Sequence, residues 1–269
     1  IQTVSSDDLS ANLAQAQRGL EAAAAQGACM AVLPENFALF GSRHLRTLGE
    51  RETSGDAPVS RFLAETARRL GLWIVGGSVP LAHRPDGQRL DERVRAACLV
   101  YDAQGQLRAR YDKIHLFDAD VGDAQGRYRE SDTFEPGSEP VVVDTPVGRL
   151  GLAICYDLRF PELFRKLRAQ GAELLALPAA FTWKTGQAHW EVLLRARAIE
   201  NQVWVCASGQ GGIHDEKRHT WGHSMIINPW GEICACHAHG EGTVSTAVDR
   251  EEQQALRERM PVHHHIRLS

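Results

Sequence analysis

The sequence predicts an α/β chain in which two mixed β-sheets pack together with helices on their outer sides. Three observations carry this reading. Short apolar runs alternate with longer helix-like runs, as in layered α/β domains. The pattern occurs twice, once in each half of the 269 residues. Hairpins interrupt it in both halves, and hairpins join antiparallel strands, so neither sheet is all-parallel.

The elements follow in order. Residues 8–26 (DLSANLAQAQRGLEAAAAQ) are Ala-rich and read as a helix stopped by Gly27. CMAVLP at 29–34 reads as a buried strand. A helix at about 58–70 (PVSRFLAETARRL) stops at Gly71, and WIVGGSV follows as a strand. Length and flanking glycines separate strand from helix in these apolar runs. ACLVYD and LRARYDK form a hairpin about AQGQ, with Gly105 as the turn residue. Residues 117–139 lack periodicity and read as a long loop, a length that is usually functional or disordered. PVVVDT and RLGLAIC make a second hairpin. A helix near 161–170, the strand ELLALP, a helix at 187–201 and the strand VWVCAS come next. The remainder is β-rich: HSMIIN, a turn at Pro229-Trp230-Gly231, EICACHA and GTVSTAV, then a charged helix from about Arg250. No linker divides the chain, which reads as a single domain over 1–269.

Composition excludes several classes. Lys+Arg is 30 and Asp+Glu 34, a net charge of −4. This opposes a nucleic-acid partner, which needs a basic footprint, and a polybasic membrane-surface role. No apolar run approaches the roughly 18 residues of a membrane-spanning helix. The six cysteines form no CxxC pair and lie mostly in apolar stretches. They are expected to be reduced and buried, in a cytoplasmic protein.

Cys155 ends an apolar strand just before Pro161 opens a helix. A thiol on such a turn has free backbone N–H groups nearby, which suits a nucleophile beside an oxyanion site. The competing reading is a buried core cysteine. Glu35 follows the strand CMAVLP, where desolvation would make it a general base, unless it is a solvated strand-end acid. Lys113, in YDKIHLF, needs a carboxylate partner if buried; otherwise it is a surface lysine on a hairpin. Glu130 alone reads as an exposed loop acid. Arg159 binds substrate or pairs with Glu162. Gly76-Gly77 lacks the spacing of a dinucleotide loop. Cys234, Cys236, His237 and His239 alternate across a strand and cannot converge on one metal ion. His263-His264-His265 is too short and isolated to count as a site.

LPENF, YDKIHLFD and GLAICYDLRFPELFR, in that order, resemble the signature segments of the nitrilase superfamily of carbon–nitrogen hydrolases. The likeness extends through AHWEVLLRARAIENQVWV and HTWGHSMIINPWGE and points to the nitrilase-like amidase branch. It implies an α/β four-layer αββα sandwich that dimerises as αββααββα, with a strand ahead of Ile1. It implies no metal and no organic cofactor. Glu35 becomes the general base, Lys113 the oxyanion lysine, Cys155 the nucleophile and Glu130 a second active-site glutamate. The backbone N–H of Tyr156 joins the oxyanion site, and Arg159, Trp183, Thr185 and His189 are expected around the substrate. The implied activity is hydrolysis of a small-molecule amide through a cysteine thioester. HDEKRHTWGHSM resembles the members of the family that act on deaminated glutathione more than those that act on 2-oxoglutaramate, which implies the former as substrate. A Cys–His thiol hydrolase and a non-catalytic interaction protein on the same fold are the competing classes.

Overall fold

Two sheets with helices on their outer faces make four layers in the computed structural model, which describes residues 1–41, 44–123 and 125–268. Asp8 caps α1 (Leu9–Ala25), its carboxylate accepting from the Ala11 N–H at 3.0 Å. Leu20 and Ala23 on α1 are buried. β1 (Met30–Val32) leads to α2 (Leu45–Thr53) and α3 (Pro58–Leu70). No apolar stripe in the sequence marks α2, whose buried positions include Gly49 and Glu52. Its buried Glu52 accepts the Val59 and Ser60 N–H groups at 2.7 and 3.0 Å, capping α3.

WIVGGSV is two strands, not one. β2 (Trp73–Val75) and β3 (Val79–Leu81) lie end to end along β4 (Arg95–Tyr101). The register passes from Val75↔Val100 to Val79↔Ala97, so one extra residue is inserted as a bulge. Gly77 sits there at φ +56°, and a Cβ would lie 2.1 Å from the Pro34 carbonyl oxygen. This close approach sets the backbone just before Glu35. β5 (Leu107–Asp112) pairs with the other edge of β4.

Strand alternation sorts this sheet onto two faces. Val32, Val75, Cys98, Val100 and Tyr111 pack toward the second sheet. Ala31, Leu33, Ile74, Leu99 and Tyr101 pack in the core that α1 and α3 complete.

The stretch read as a featureless loop holds β6 (Asp118–Asp120) paired with β7 (Arg127–Arg129), then one 3₁₀ turn at Glu130–Asp132. The second sheet comprises β8 (Val142–Thr145), β9 (Gly148–Leu152), β10 (Leu174–Ala179), β11 (Trp204–Gly209), β12 (Ser224–Ile227) and β13 (Ile233–His237). Its order is β13-β12-β11-β10-β9-β8, with β9, β10 and β11 parallel and the rest antiparallel. Parallel neighbours need crossovers. α4 (Pro161–Ala169) supplies one; α5 (Trp183–Thr185), a π-helical turn at Gly186–Trp190 and α6 (Glu191–Asn201) supply the next. α7 (Arg250–Arg259) is the last α-helix among the described residues, a 3₁₀ turn at Val262–His265 follows it, and GTVSTAV forms no strand. The burial expected of the cysteines holds for Cys98 and Cys155, whereas Cys29, Cys234 and Cys236 are exposed. Among the described residues no helix is long and apolar enough to cross a membrane.

Candidate active site

β1, β5, β9 and β10 present their C-terminal ends to one cleft, where open α/β sheets place ligands. Glu35 follows β1, Lys113 follows β5, Cys155 follows β9 and Ala180 follows β10; all four line the cleft, of about 620 Å³. β5 runs parallel to β1: β1 pairs parallel with β2, and the two antiparallel pairings, β2 with β4 and β4 with β5, cancel.

Lys113 is only 2% exposed, so it is not a surface lysine. Its Nζ lies 2.7 Å from Glu35 Oε1 and 2.7 and 2.8 Å from the two oxygens of Glu130. An ammonium has three N–H donors, and all three are taken. Glu130 Oε2 also accepts the Phe117 N–H at 2.6 Å. Burial alone would push the Lys113 ammonium down; the Glu130 and Glu35 carboxylates outweigh it and hold its pKa well above the usual lysine value. Burial raises the Glu130 carboxyl, with Lys113 opposing and Glu35 adding to the rise.

β9 ends at Leu152, short of the expected RLGLAIC strand, and Cys155 opens a 3₁₀ turn through Arg159. Cys155 holds φ +47°, a left-handed conformation that costs a non-glycine residue about 1–3 kcal/mol. Burial, then the Glu35 carboxylate, push the thiol well above its ordinary pKa. The resting group is therefore a thiol that needs a base at the moment of attack. The Ala180 N–H points at Sγ at 3.5 Å. The Tyr156 N–H lies in the first turn of this short helix, where backbone donors have no intrahelical partner.

Asp157, unread in the sequence, holds the turn from beneath. It is fully buried and accepts from the Ile154 N–H at 2.8 Å, the Tyr111 hydroxyl at 2.7 Å and the His115 N–H at 3.1 Å, with His115 Nδ1 at 2.7 Å. Tyr111 and His115 bracket Lys113, so one carboxylate ties the lysine segment to the cysteine turn.

The substrate residues divide. Arg159 and Thr185 line a narrow side pocket with Tyr156, Phe181 and Cys155. Arg159 reaches His189 Nδ1 at 3.2 Å rather than Glu162, and its guanidinium packs over Tyr156 and Phe181. His189 itself is exposed. Trp183 and His189 both depart from the expectation, since neither lines a space at Cys155: His189 touches Arg159 from outside, and Trp183 stacks on His219, against Trp221 and His239. Among the described residues no histidine lines either space, where a Cys–His pair would need one.

The carbon-nitrogen hydrolase family model matches residues 1–258. The chain belongs to the carbon–nitrogen hydrolase family. Deaminated glutathione amidase from Yersinia enterocolitica is 44% identical over 99% of this chain and 91% of the relative. The Homo sapiens protein of that name is 39% identical over 99% of this chain and 80% of its own. Among solved structures, the C. elegans NitFhit protein superposes with a TM-score of 0.87 at 39% identity, covering 99% of this chain and 63% of that one. Saccharomyces cerevisiae Nit3, of the nitrilase superfamily, gives 0.84 at 28% identity, covering 97% of this chain and 93% of that chain. The αββα sandwich of this carbon–nitrogen hydrolase agrees with both.

Proposed function

We propose that this carbon–nitrogen hydrolase is an amidase that converts deaminated glutathione to 2-oxoglutarate and Cys-Gly. The observation that carries the reading is the junction of Lys113 with Glu35 and Glu130 beside the Cys155 thiol. The names of the relatives at 39–44% identity support the substrate.

In this reading Glu35 takes the thiol proton as Sγ attacks the amide carbonyl. The oxyanion exchanges for one of the two Glu130 contacts on Lys113 and also meets the Tyr156 N–H. The C–N bond breaks as Glu35 returns the proton to the departing amine, leaving a thioester. Glu35 then deprotonates a water that attacks the thioester carbonyl, and the thiol leaves with the proton. Arg159 and Thr185 meet only the terminal carboxylate of the 2-oxo acid end, since an Arg fork suits a carboxylate and their pocket is narrow.

The reading extends to one domain over 1–269, a cytoplasmic setting and a homodimer. Val192 and Ile199, seven residues apart on one face of α6, are 67% and 45% exposed, and Trp230 nearby is 62% exposed. That apolar surface supports a second copy as partner.

Release of 2-oxoglutarate from deaminated glutathione and from 2-oxoglutaramate, measured in parallel, tests the substrate. A higher kcat/KM is expected for deaminated glutathione. Preference for the smaller amide moves the enzyme to ω-amidase, a name borne by an Arabidopsis thaliana relative at 36% identity.

A further inference from the structure

Cys155 borders two spaces of unequal size. One is the narrow pocket at Arg159 and Thr185, with about 20 Å³ of free room. The other is the cleft of about 620 Å³. The narrow pocket holds about one water, so only the tip of an acyl group reaches Arg159 and Thr185, and the rest of the substrate, with whatever extends beyond its scissile nitrogen, lies in the wide cleft.

The charges on the wide side divide sharply. Lys113, Glu35 and Glu130 satisfy one another. Beyond them the cleft presents Arg127, Arg129 and Arg218 against Asp132. Arg129 pairs with Asp120 at 3.3 Å. Arg127 and Arg218 make no ion pair with a described residue. Asp215, on the Arg218 loop, turns its Oδ1 to the backbone N–H groups of Lys217 and Arg218 instead.

Arg218 is also held in place. Its guanidinium lies over the Phe40 ring at 4.8 Å and the Tyr128 ring at 5.3 Å. Tyr128 is anchored by donating its hydroxyl to Asp123 at 2.7 Å. A guanidinium fixed by its faces keeps its N–H edge for a planar acceptor, and a carboxylate matches that fork.

We propose that Arg218, assisted by Arg127 at the rim, forms a leaving-group subsite for the free carboxylate of a peptide-like amine. The inference rests on amide hydrolysis at Cys155 as proposed above. In the dipeptide leaving group the carboxylate stands about 7 Å beyond the scissile nitrogen, the span of two extended residues. The subsite thus separates an acyl carboxylate at Arg159 from a second carboxylate at Arg218. It selects amides that carry negative charge on both sides of the bond.

The test uses three substrates: deaminated glutathione, its C-terminal carboxamide and 2-oxoglutaramate. Arg218→Gln is expected to lower the ratio of kcat/KM for deaminated glutathione to that for 2-oxoglutaramate about 10- to 100-fold, the scale of one charged hydrogen-bond pair. On the carboxamide, wild type and variant converge, because the group that Arg218 reads is gone. Arg218→Lys recovers part of the ratio, and Arg127→Gln produces a smaller loss that fades with salt. An unchanged ratio in Arg218→Gln, or an equal loss on the acid and its carboxamide, overturns the subsite while leaving the amidase reading intact. Wild-type enzyme that turns over 2-oxoglutaramate but not deaminated glutathione overturns the substrate reading itself.

Discussion

Two charged neighbourhoods flank the same thiol and obey different rules. The Lys113 cluster is buried, and its ammonium is fully paired with carboxylates from two other segments of the chain. The arginine wall of the cleft is open to solvent, and Arg127 and Arg218 lack a carboxylate partner among the described residues. Burial explains the difference. A charge without water needs partners supplied by the fold itself, whereas a solvated guanidinium can stay unpaired until a ligand arrives. Buried pairing thus favours preorganised chemistry, and exposed, unpaired charge favours recognition.

The sharpest way to break the comparison is to remove the atom both regions serve. Cys155→Ala is expected to lower kcat by on the order of 10⁴ or more while the fold persists, checked by turnover together with circular dichroism. Lys113→Ala comes next. Losing one oxyanion donor lowers kcat by on the order of 10²–10³. Two carboxylates left facing each other in a buried site also cost about 3–5 kcal/mol of stability, read by denaturant titration. Full activity in this variant would dissolve the distinction between the two regions.

Glu35→Gln and Glu130→Gln divide the buried cluster. The first is expected to prevent thioester formation, so intact-protein mass spectra with substrate show no adduct. The second keeps acylation and slows it less, because Glu130 orients Lys113 without moving a proton. Equal, complete loss in both would make them one coupled unit.

Asp157→Asn gives a smaller effect. It weakens a buried acceptor of several donors, which costs about 1–3 kcal/mol. A fall in kcat with KM retained is expected, since the lysine segment and the cysteine turn lose their common anchor.

The effect furthest from the chemistry lies behind the arginine wall and touches stability alone. His214 stacks on Phe40 at 3.7 Å, on the ring that Arg218 also covers. Burial pushes its imidazole down to about 4; the Ser5 carbonyl and Asp215 oppose this, and Arg218 and His219 add to it. The unfolded chain therefore takes up this proton first, near pH 6.5. Stability is whole above about pH 6.5 and declines as pH falls toward 4, by on the order of 2–3 kcal/mol. His263, also pushed down to about 4, acts in the same direction. The measurement is thus the difference in Tm between wild type and His214→Gln across that window: the variant is expected to lose less. Parallel pH profiles would remove His214 from the account.

The layers and most elements were legible because their signals are local. Pro58 and Gly71 bound α3 where the sequence places them, and the hairpin around Gly105 joins β4 to β5. α2 escaped because LRTLGERET is strongly polar and its buried positions include Gly49 and Glu52, so no apolar stripe announces it. The bulge at Gly77 escaped because it records the approach of Pro34, a residue far away in sequence. Trp183 was placed beside the substrate by its neighbours in the chain, but its ring turns to His219. Arg218 had no legible signal, since its role depends on Phe40 and Tyr128 lying beneath it.

By itself the sequence determined the alternation of strand and helix, the two mixed sheets and the three segments that carry Glu35, Lys113 and Cys155. Side-chain period, caps and turns act over a few residues and can be read in a line. Only the tertiary structure decided that Glu130 reaches Lys113 with both oxygens, that Asp157 holds the cysteine turn, and that one arginine pocket meets His189 while another stays open. The Lys113–Glu35 contact joins residues 78 positions apart. Such contacts require charges from distant segments to be brought out of water together, a condition set by packing rather than by any local pattern.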